Sequence, residues 1–153
     1  MNISSIQDFI QEDPLIFDSP TFKTEVKLLY DQKNIYLYAK LYHDNPEDIA
    51  KYYLDRGVKN CVLTMGGEGS LFMNKENKII TPAFDIKVVD TTGCGDAFDA
   101  GMIVALIKEM DIETSLKFAT ITSGLVATGL GSDAGIINFD DCIDKMNSFK
   151  IKN

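Results

Sequence analysis

The sequence has 153 residues, of which 45% are hydrophobic, and a formal net charge of −8. This length predicts one packed domain that buries roughly 68–70% of the surface exposed by its unfolded chain. Because Arg56 is the only arginine, the chain lacks the broad basic face that nucleic acid requires, and nucleic acid is not an expected partner. A phosphate site in such a chain must rely on backbone dipoles and a metal ion.

The N-terminal residues and the cysteines indicate a cytoplasmic protein. Residues 1–11 lack a basic start and a continuous apolar stretch, and no segment approaches the roughly 18 apolar residues of a membrane helix. The three cysteines, Cys61, Cys94 and Cys142, are widely spaced and form no CxxC pair, which predicts buried or partly buried thiols instead of disulfides or a zinc cluster. A single histidine, His43, argues against histidine-based catalytic triads.

Residues 1–44 carry the pattern of a two-stranded hairpin. Apolar and polar residues alternate in two runs that flank a turn at residues 31–34. The second run resembles a hairpin of carbohydrate-binding β-sandwich modules, in which tyrosines stack on sugars; here these would be Tyr36, Tyr38 and Tyr42. The other interpretation is that these tyrosines pack on neighbouring strands. A lone hairpin is marginally stable in water, so it must pack on the rest of the chain or on another chain.

From Asn45 onward the sequence predicts alternating helices and strands. Asn45 caps a helix that has Pro46 at its first position and ends at Gly57. Strands are predicted at residues 61–65, 70–73, 78–82 and 84–89, with a glycine turn at residues 66–69. Three more helices follow: one with an apolar face between residues 98 and 106, one capped by Asp111, and one that starts after Asn138. This mixed order predicts an α/β fold with helices layered on a sheet.

The run from Asp90 to Phe98, DTTGCGDAF, is the most informative stretch of the chain. It places two glycines and a carboxylate at the start of a predicted helix, where free backbone N–H groups and the helix dipole form an anion site without lysine or arginine. Gly93 and Gly95 allow positive φ and a close approach of a phosphoryl group. Asp96 would lie in the first helical turn, where it could take a proton from an attacking hydroxyl. Its other interpretation is a carboxylate that only favours the helix start.

This run resembles the second signature of the PfkB (ribokinase-like) family of sugar and nucleoside kinases, D-T-x-G-[AG]-G-D-[AS]-F, with Cys94 as its one departure. Residues 62–70 resemble the family's Thr-x-Gly-x-x-Gly strand and turn, and the turn Gly129-Leu130-Gly131 also fits the family. The resemblance implies a ribokinase-like layered α/β/α sheet. It covers residues 45–153, the C-terminal portion of a complete family member, and leaves residues 1–44 as a leader that is diverged from or foreign to the family.

The resemblance implies a role for each residue of the loop. Phosphoryl transfer needs an aligned nucleophile and stabilised charge more than covalent help. Asp96 is expected to be the general base for a primary hydroxyl of the acceptor, a contribution of about 10²–10⁴-fold. The γ-phosphoryl group of ATP is expected in an anion hole formed by the amides of Gly93, Cys94, Gly95 and Asp96.

The resemblance also implies where the nucleotide and its ions bind. The phosphates of ATP, with Mg²⁺, are expected against Thr64, Gly66, Gly69 and Thr92. Asp90 and Thr92 match family positions that hold a monovalent cation, which makes K⁺ a candidate activator. Asp90 has the alternative role of capping the loop, and the Gly66 turn has that of an ordinary hairpin.

A strip of small residues on the helix that Asp111 caps offers a place for the purine. It includes Ala119 and Ser123, and it would admit a flat ring if the resemblance holds. Close helix packing is the other explanation of such a strip. Residues 129–134 also satisfy the G-x-G-x-x-A dinucleotide pattern, but they follow a helix and not a strand, which disfavours that interpretation.

Two hypotheses follow from these residues. The first is an ATP-dependent phosphotransferase of the PfkB type that acts on a sugar or nucleoside-like hydroxyl compound. The second is a truncated or fused product that binds nucleotide or carbohydrate without catalysis. A homo-oligomer or a complementing chain is a candidate partner, because the segments that build the acceptor pocket in the family are not recognisable here.

Overall fold

A computed structural model describes residues 45–152 with their side chains and residues 24–30 and 35–41 by their backbone. The strands are β1 (Thr24–Tyr30), β2 (Ile35–Leu41), β3 (Asn60–Thr64), β4 (Ser70–Asn74) and β5 (Lys78–Thr81). The helices are α1 (Pro46–Asp55), α2 (Cys94–Ile107), α3 (Ile112–Val126) and α4 (Phe139–Ser148). A short 3-10 turn, Gly66–Glu68, separates β3 from β4.

The five strands form one sheet in the order β1-β2-β3-β4-β5. All neighbouring pairs are antiparallel except β2 and β3, which are parallel and pair through Tyr38 and Val62. Parallel neighbours need a crossover connection, and α1 supplies it. The predicted hairpin is confirmed as β1 and β2. Its turn and its tyrosine side chains lie outside the described residues, so sugar stacking stays a prediction.

Helices cover both faces of the sheet because the apolar side chains of its strands alternate. Cys61 and Leu63 of β3 pack with Ala50 and Leu54 of α1. The residue between them in β3, Val62, contacts a second cluster made of Phe72, Phe98, Leu116 and Ala119, which brings in α2 and α3. The predicted α/β class with helices layered on a sheet is therefore confirmed.

The predicted helix starts are confirmed by side-chain caps. The amides of Glu47, Thr114 and Asp141 donate to the side-chain oxygens of Asn45, Asp111 and Asn138 at 3.1, 2.9 and 2.9 Å. A side-chain oxygen that accepts such an amide stabilises a helix start by satisfying a donor that has no partner within the helix. These three caps fix where α1, α3 and α4 begin.

The predicted strand at residues 84–89 is wrong. Only Phe84 makes a β-bridge, with Ile151, and Val88 and Val89 are 57% and 51% exposed. The alternation of these residues would form a strand only beside a partner, and no strand of the described residues lies along them. Instead, the amides of Val89 and Asp90 both donate to the carbonyl of Ala127, at 2.8 and 3.3 Å. The segment is thus anchored at the end of α3.

The three cysteines are buried or partly buried thiols, as predicted. Cys61 and Cys142 are buried, and Cys94 is half-buried. Burial raises the pKa of the Cys61 thiol to about 11. Among the helices that the structure describes, none is both long and apolar enough to cross a membrane.

Candidate active site

The loop before α2 is held in shape by the carboxylate of Asp90. Oδ1 of Asp90 accepts the amide of Thr92 at 3.0 Å and its hydroxyl at 2.8 Å. Oδ2 accepts the amide of Gly131, 41 residues away in the chain, at 3.0 Å. The Gly131 amide, followed by the two Thr92 donors, lowers the pKa of the Asp90 carboxyl below its ordinary value. Asp90 therefore caps the loop and ties it to the turn after α3, while its role toward a cation stays a prediction.

Gly93 is the N-cap of α2 and adopts the left-handed conformation, with φ +79°. A Cβ at this position would lie 2.6 Å from Cβ and 2.7 Å from Cα of Ser132. The backbone of the loop thus passes directly against the turn that carries Ser132. Only glycine satisfies both the conformation and the close approach.

Two amides of the loop point to an anion site. The amide of Cys94 donates to the carbonyl of Thr91 at 3.3 Å, which closes a turn at the start of α2. Within residues 45–152, no acceptor takes the amides of Gly93 and Gly95. Amides in the first turn of a helix have no partner inside the helix, and the dipole favours an anion beside them. The anion hole stays a prediction, and within the described residues the amides of Gly93 and Gly95 are available for it.

Asp96 is the third residue of α2 and is exposed. Phe98, two residues further along, is 4% exposed and anchors the same turn of α2 in the core. The helix therefore presents Asp96 at the surface beside the glycine amides. A substrate hydroxyl can approach a carboxylate in this position, and the role of Asp96 as a base stays a prediction.

The Gly66–Glu68 turn lies at the end of β3, beyond Thr64. Gly66 and Gly69 both have positive φ, +59° and +102°, and the amide of Met65 donates to the Gly69 carbonyl at 2.8 Å. A Cβ at Gly69 would lie 1.9 Å from the Thr81 carbonyl oxygen, so this glycine is required by the approach of β5. The turn does connect antiparallel strands, as the hairpin interpretation states. No hydrogen bond among the described residues joins it to the Asp90 loop.

The small-residue strip on α3 serves helix packing at Ala119. This residue is fully buried, and a Cβ at Gly101 of α2 would lie 2.9 Å from its Cα. A purine cannot reach Ala119, because α2 already covers it, so the nucleotide-binding role predicted for Ala119 is corrected to a packing role. Ser123, one turn further along α3, is half-buried and stays a candidate for nucleotide contact.

The sequence indicated the turn after α3 but did not predict its contact with the Asp90 loop. Gly129 lies so close to Ala134 that a Cβ added at Gly129 would be 2.5 Å from the Ala134 Cβ. Residues 129–134 therefore form a compact turn. This turn does not open a helix, so it lacks the arrangement that binds a dinucleotide. Its function in the fold is to present Gly131 and Ser132 to the Asp90 loop. The only sequence signal was the pair of glycines after a helix.

The oxygen atoms of the loop suit hard cations. The described residues contain no group of three His, Cys, Asp or Glu side chains that could hold a metal ion. The Asp90 carboxylate accepts three hydrogen bonds and offers about four lone-pair sites, so it keeps some capacity for a cation. Mg²⁺ typically binds through one or two carboxylates together with substrate phosphates, so a nucleotide would bring part of its own metal coordination.

The Asp90 clamp predicts a specific dependence of stability on pH. Because the folded-state pKa of Asp90 is lowered, its contribution is present above the ordinary carboxyl pKa of about 3.9 and is lost as the pH falls through the folded value. We expect Asp90→Asn to lower the melting temperature at pH 7, and the difference from wild type to shrink below about pH 4. Thermal unfolding followed by circular dichroism at pH 7, 5, 4 and 3 measures this. Asp133→Asn, at an exposed carboxylate of the neighbouring turn, is the control; a difference for Asp90→Asn that stays constant with pH would contradict the clamp.

Helices on both faces of a sheet, with a glycine-capped helix start beside an exposed carboxylate, define an α/β protein with a candidate site at the start of α2. The family described as "pfkB family carbohydrate kinase" matches residues 23–138, which is more than half of the chain. The chain belongs to this family. The match begins before Asn45, so it includes the β1–β2 hairpin that the motifs alone left outside the resemblance.

Three relatives illustrate the similarity. A deoxyribokinase of Salmonella typhi is 32% identical over 92 residues, which are 60% of this chain and 30% of the relative. The crystal structure of a ribokinase from Thermotoga maritima has a TM-score of 0.64 at 32% identity, covering 68% of this chain and 35% of that chain. A ribokinase II structure from E. coli, in complex with ATP and Mg²⁺, has a TM-score of 0.64 at 23% identity and covers 69% and 34%; it bears on the fold alone. The chain spans about a third of the length of these relatives.

Proposed function

We propose that the chain carries the nucleotide-binding and catalytic portion of an ATP-dependent phosphotransferase, which moves the γ-phosphate of ATP to a hydroxyl of a sugar or nucleoside. The observation that carries this proposal is the start of α2. There, Asp96 is exposed and lies in the first turn of α2, one residue after Gly95 and three residues after Gly93. The amides of both glycines have no acceptor within residues 45–152. Membership of a carbohydrate kinase family supports the reaction class, and this geometry supports the roles that we propose for Asp96, Gly93 and Gly95.

The proposed step is an in-line displacement at the γ-phosphorus. The acceptor hydroxyl oxygen bonds to the γ-phosphorus, its proton passes to a carboxylate oxygen of Asp96, and the bond to the β-phosphate oxygen breaks to release ADP. The amides of the loop, chiefly those of Gly93 and Gly95, stabilise the charge on the transferring oxygens. Each donor of this kind typically contributes roughly 3–4 kcal/mol to transition-state stabilisation.

The remaining parts of the nucleotide extend along β3 and α3 in this proposal. The phosphates lie against Thr64, Gly66 and Gly69, with Thr92 at the loop, and Ser123 is the remaining α3 candidate for purine contact. Bound Mg²⁺ would neutralise charge on the phosphate oxygens. Asp90 and Thr92 would hold K⁺ through their oxygen atoms, which keeps the loop in the shape that binds the γ-phosphate.

The acceptor is the least defined part of this proposal. The chain covers 30–35% of the length of its relatives, so about two thirds of those proteins has no counterpart in the matched region. We propose that residues 45–153 form the catalytic portion, that the hairpin leader precedes it, and that a complementing chain or further segment supplies the acceptor pocket in the cytoplasm.

A second candidate function is nucleotide or carbohydrate binding without catalysis. The observation that favours it is the same coverage of about a third of each relative. A fragment with an intact phosphate loop would bind ATP and yet lack the groups that align a hydroxyl. This candidate predicts affinity without turnover.

Binding and turnover of ATP separate the two candidates. We expect ATP with Mg²⁺ at 100 times its Kd to stabilise the protein by about 2.7 kcal/mol, which thermal unfolding can detect. We also expect ADP release with at least one member of a panel of sugars and nucleosides. A thermal shift without ADP release on the whole panel would favour binding alone. Adenosine is the control ligand. No shift with ATP would contradict the phosphotransferase and the nucleotide-binding form of the second candidate.

A further inference from the structure

The residues that follow α4 return to the sheet and lie beside the segment after β5. The amide of Asp85 donates to the carbonyl of Lys150 at 2.8 Å, and the amide of Lys152 donates to the carbonyl of Ala83 at 2.7 Å. Between them, Phe84 and Ile151 form an antiparallel bridge, and Phe84 is 5% exposed. Backbone hydrogen bonds to a buried anchor therefore fix the position of the Lys152 main chain.

This position places the Lys152 side chain over the Gly66–Glu68 turn. The Nζ atom lies 3.5 Å from the carbonyl oxygen of Gly67, a weak contact, and 3.5 Å from the point where a Cβ of Gly67 would be. Lys152 lines an open cleft of about 340 Å³ together with Gly67, Glu68, Pro82 and Ala83. A cleft of this volume falls within the range typical of small-molecule sites, about 300–1,000 Å³.

The ammonium group of Lys152 has donors available in this cleft. Lys78 and Lys117 form ion pairs with glutamates, whereas within the described residues Lys152 forms none. Its one acceptor there is the distant Gly67 carbonyl. Among the described residues that line the cleft, Glu68 carries the one carboxylate. A lysine that is held at this turn by its backbone and makes one weak hydrogen bond within the described residues can donate to an anionic ligand.

We propose that Nζ of Lys152 donates a hydrogen bond to a phosphate oxygen of the nucleotide that binds along the Gly66–Glu68 turn. The inference rests on the proposed function, which places the phosphates of ATP against Thr64, Gly66 and Gly69. An ammonium provides a charge-assisted hydrogen bond to phosphate, stronger than one between neutral groups. The phosphate site would then use one side-chain cation in addition to backbone dipoles and a metal ion.

The test compares nucleotides that differ in phosphate number. Isothermal titration calorimetry in the presence of Mg²⁺ should show roughly tenfold weaker ATP binding for Lys152→Gln, since one charge-assisted hydrogen bond at an exposed site corresponds to about one power of ten in affinity. The loss should be absent for adenosine, and Lys152→Arg should restore most of the affinity. Lys75→Gln, which removes an exposed lysine between β4 and β5, is the matched control. If turnover is measurable, KM for ATP should rise while kcat is unchanged.

The outcomes distinguish this inference from the proposed function. If wild type binds ATP and Lys152→Gln binds it equally well, the inference is overturned and the proposed function stands. Equal losses for ATP and adenosine, or an equal loss in Lys75→Gln, would also overturn it, because neither depends on a phosphate contact by Lys152. If wild type binds no ATP, both fail. The melting temperature of Lys152→Gln without ligand should match that of wild type, since the side chain makes one weak hydrogen bond among the described residues.

Discussion

Replacing Asp96 with asparagine is expected to lower kcat for phosphoryl transfer by about 10²–10⁴-fold, because the amide cannot accept the proton of the attacking hydroxyl. Affinity for ATP should change little, since the base contacts the acceptor hydroxyl and not the nucleotide. Coupled measurement of ADP release gives kcat, and calorimetry gives the Kd for ATP. Because Asp96 is exposed in the first turn of α2, we expect the Asp96→Asn variant to fold.

Asp140→Asn is a matched control for Asp96→Asn. Asp140 is exposed and also lies in the first turn of a helix, α4, so both variants remove a carboxylate that interacts favourably with a helix dipole. The two should show similar small changes in melting temperature, and only Asp96→Asn should lose turnover. Equal kcat values for the two variants would mean that Asp96 is merely a helix-start carboxylate.

Gly93→Ala is expected to abolish the thermal shift caused by ATP and to lower the stability of the protein. The left-handed conformation alone costs an L-residue about 1–2 kcal/mol. In addition, the new Cβ would lie 2.6–2.9 Å from the Cβ, Cα and carbonyl oxygen of Ser132, so rotation of the serine side chain cannot relieve the clash. The loop must move, which displaces the amides that hold the γ-phosphate in our proposal. Thermal unfolding with and without ATP measures both effects.

Gly57→Ala separates the conformational cost from the clash. Gly57 has φ +96°, and a Cβ there would have no atom within 4 Å. This variant should be less stable than wild type, because alanine disfavours the left-handed conformation at the end of α1, and it should keep its thermal shift with ATP. If Gly93→Ala were no less stable than Gly57→Ala and still responded to ATP, the contact between the loop and Ser132 would not shape the site.

The features that sequence predicted well depend on residues close together in the chain. Asn45, Asp111 and Asn138 each cap a helix by accepting an amide two or three residues further on, so their patterns are complete within one turn. Likewise, the strand alternation around Val62 needs no distant information to show two buried faces. The glycines and the carboxylate at the start of α2 are also a local pattern. The positive φ predicted there is confirmed at Gly93 and wrong at Gly95, which lies within α2.

The features that sequence missed depend on contacts between distant segments. Residues 84–89 have the composition of a strand, but a strand also needs a neighbour, and composition does not show whether one is present. The small side chain of Ala119 could pack against a purine or against a helix equally well. The close approach of Gly101 in α2 shows that it packs against a helix. Lys152 reaches the Gly66–Glu68 turn because residues 150–152 pair with residues 83–85, which no local pattern predicts.

The hydrogen bond between Asp90 and Gly131 spans 41 residues, and the intervening chain contains all of α2 and α3. Closing a loop of this length costs chain entropy, which the burial between α2 and α3 offsets. The shape of the Asp90 loop is therefore coupled to the packing of these two helices. A substitution that loosens the contact between α2 and α3 should also release the loop, so the stability of the helix pair and the phosphate affinity that we propose should fall together.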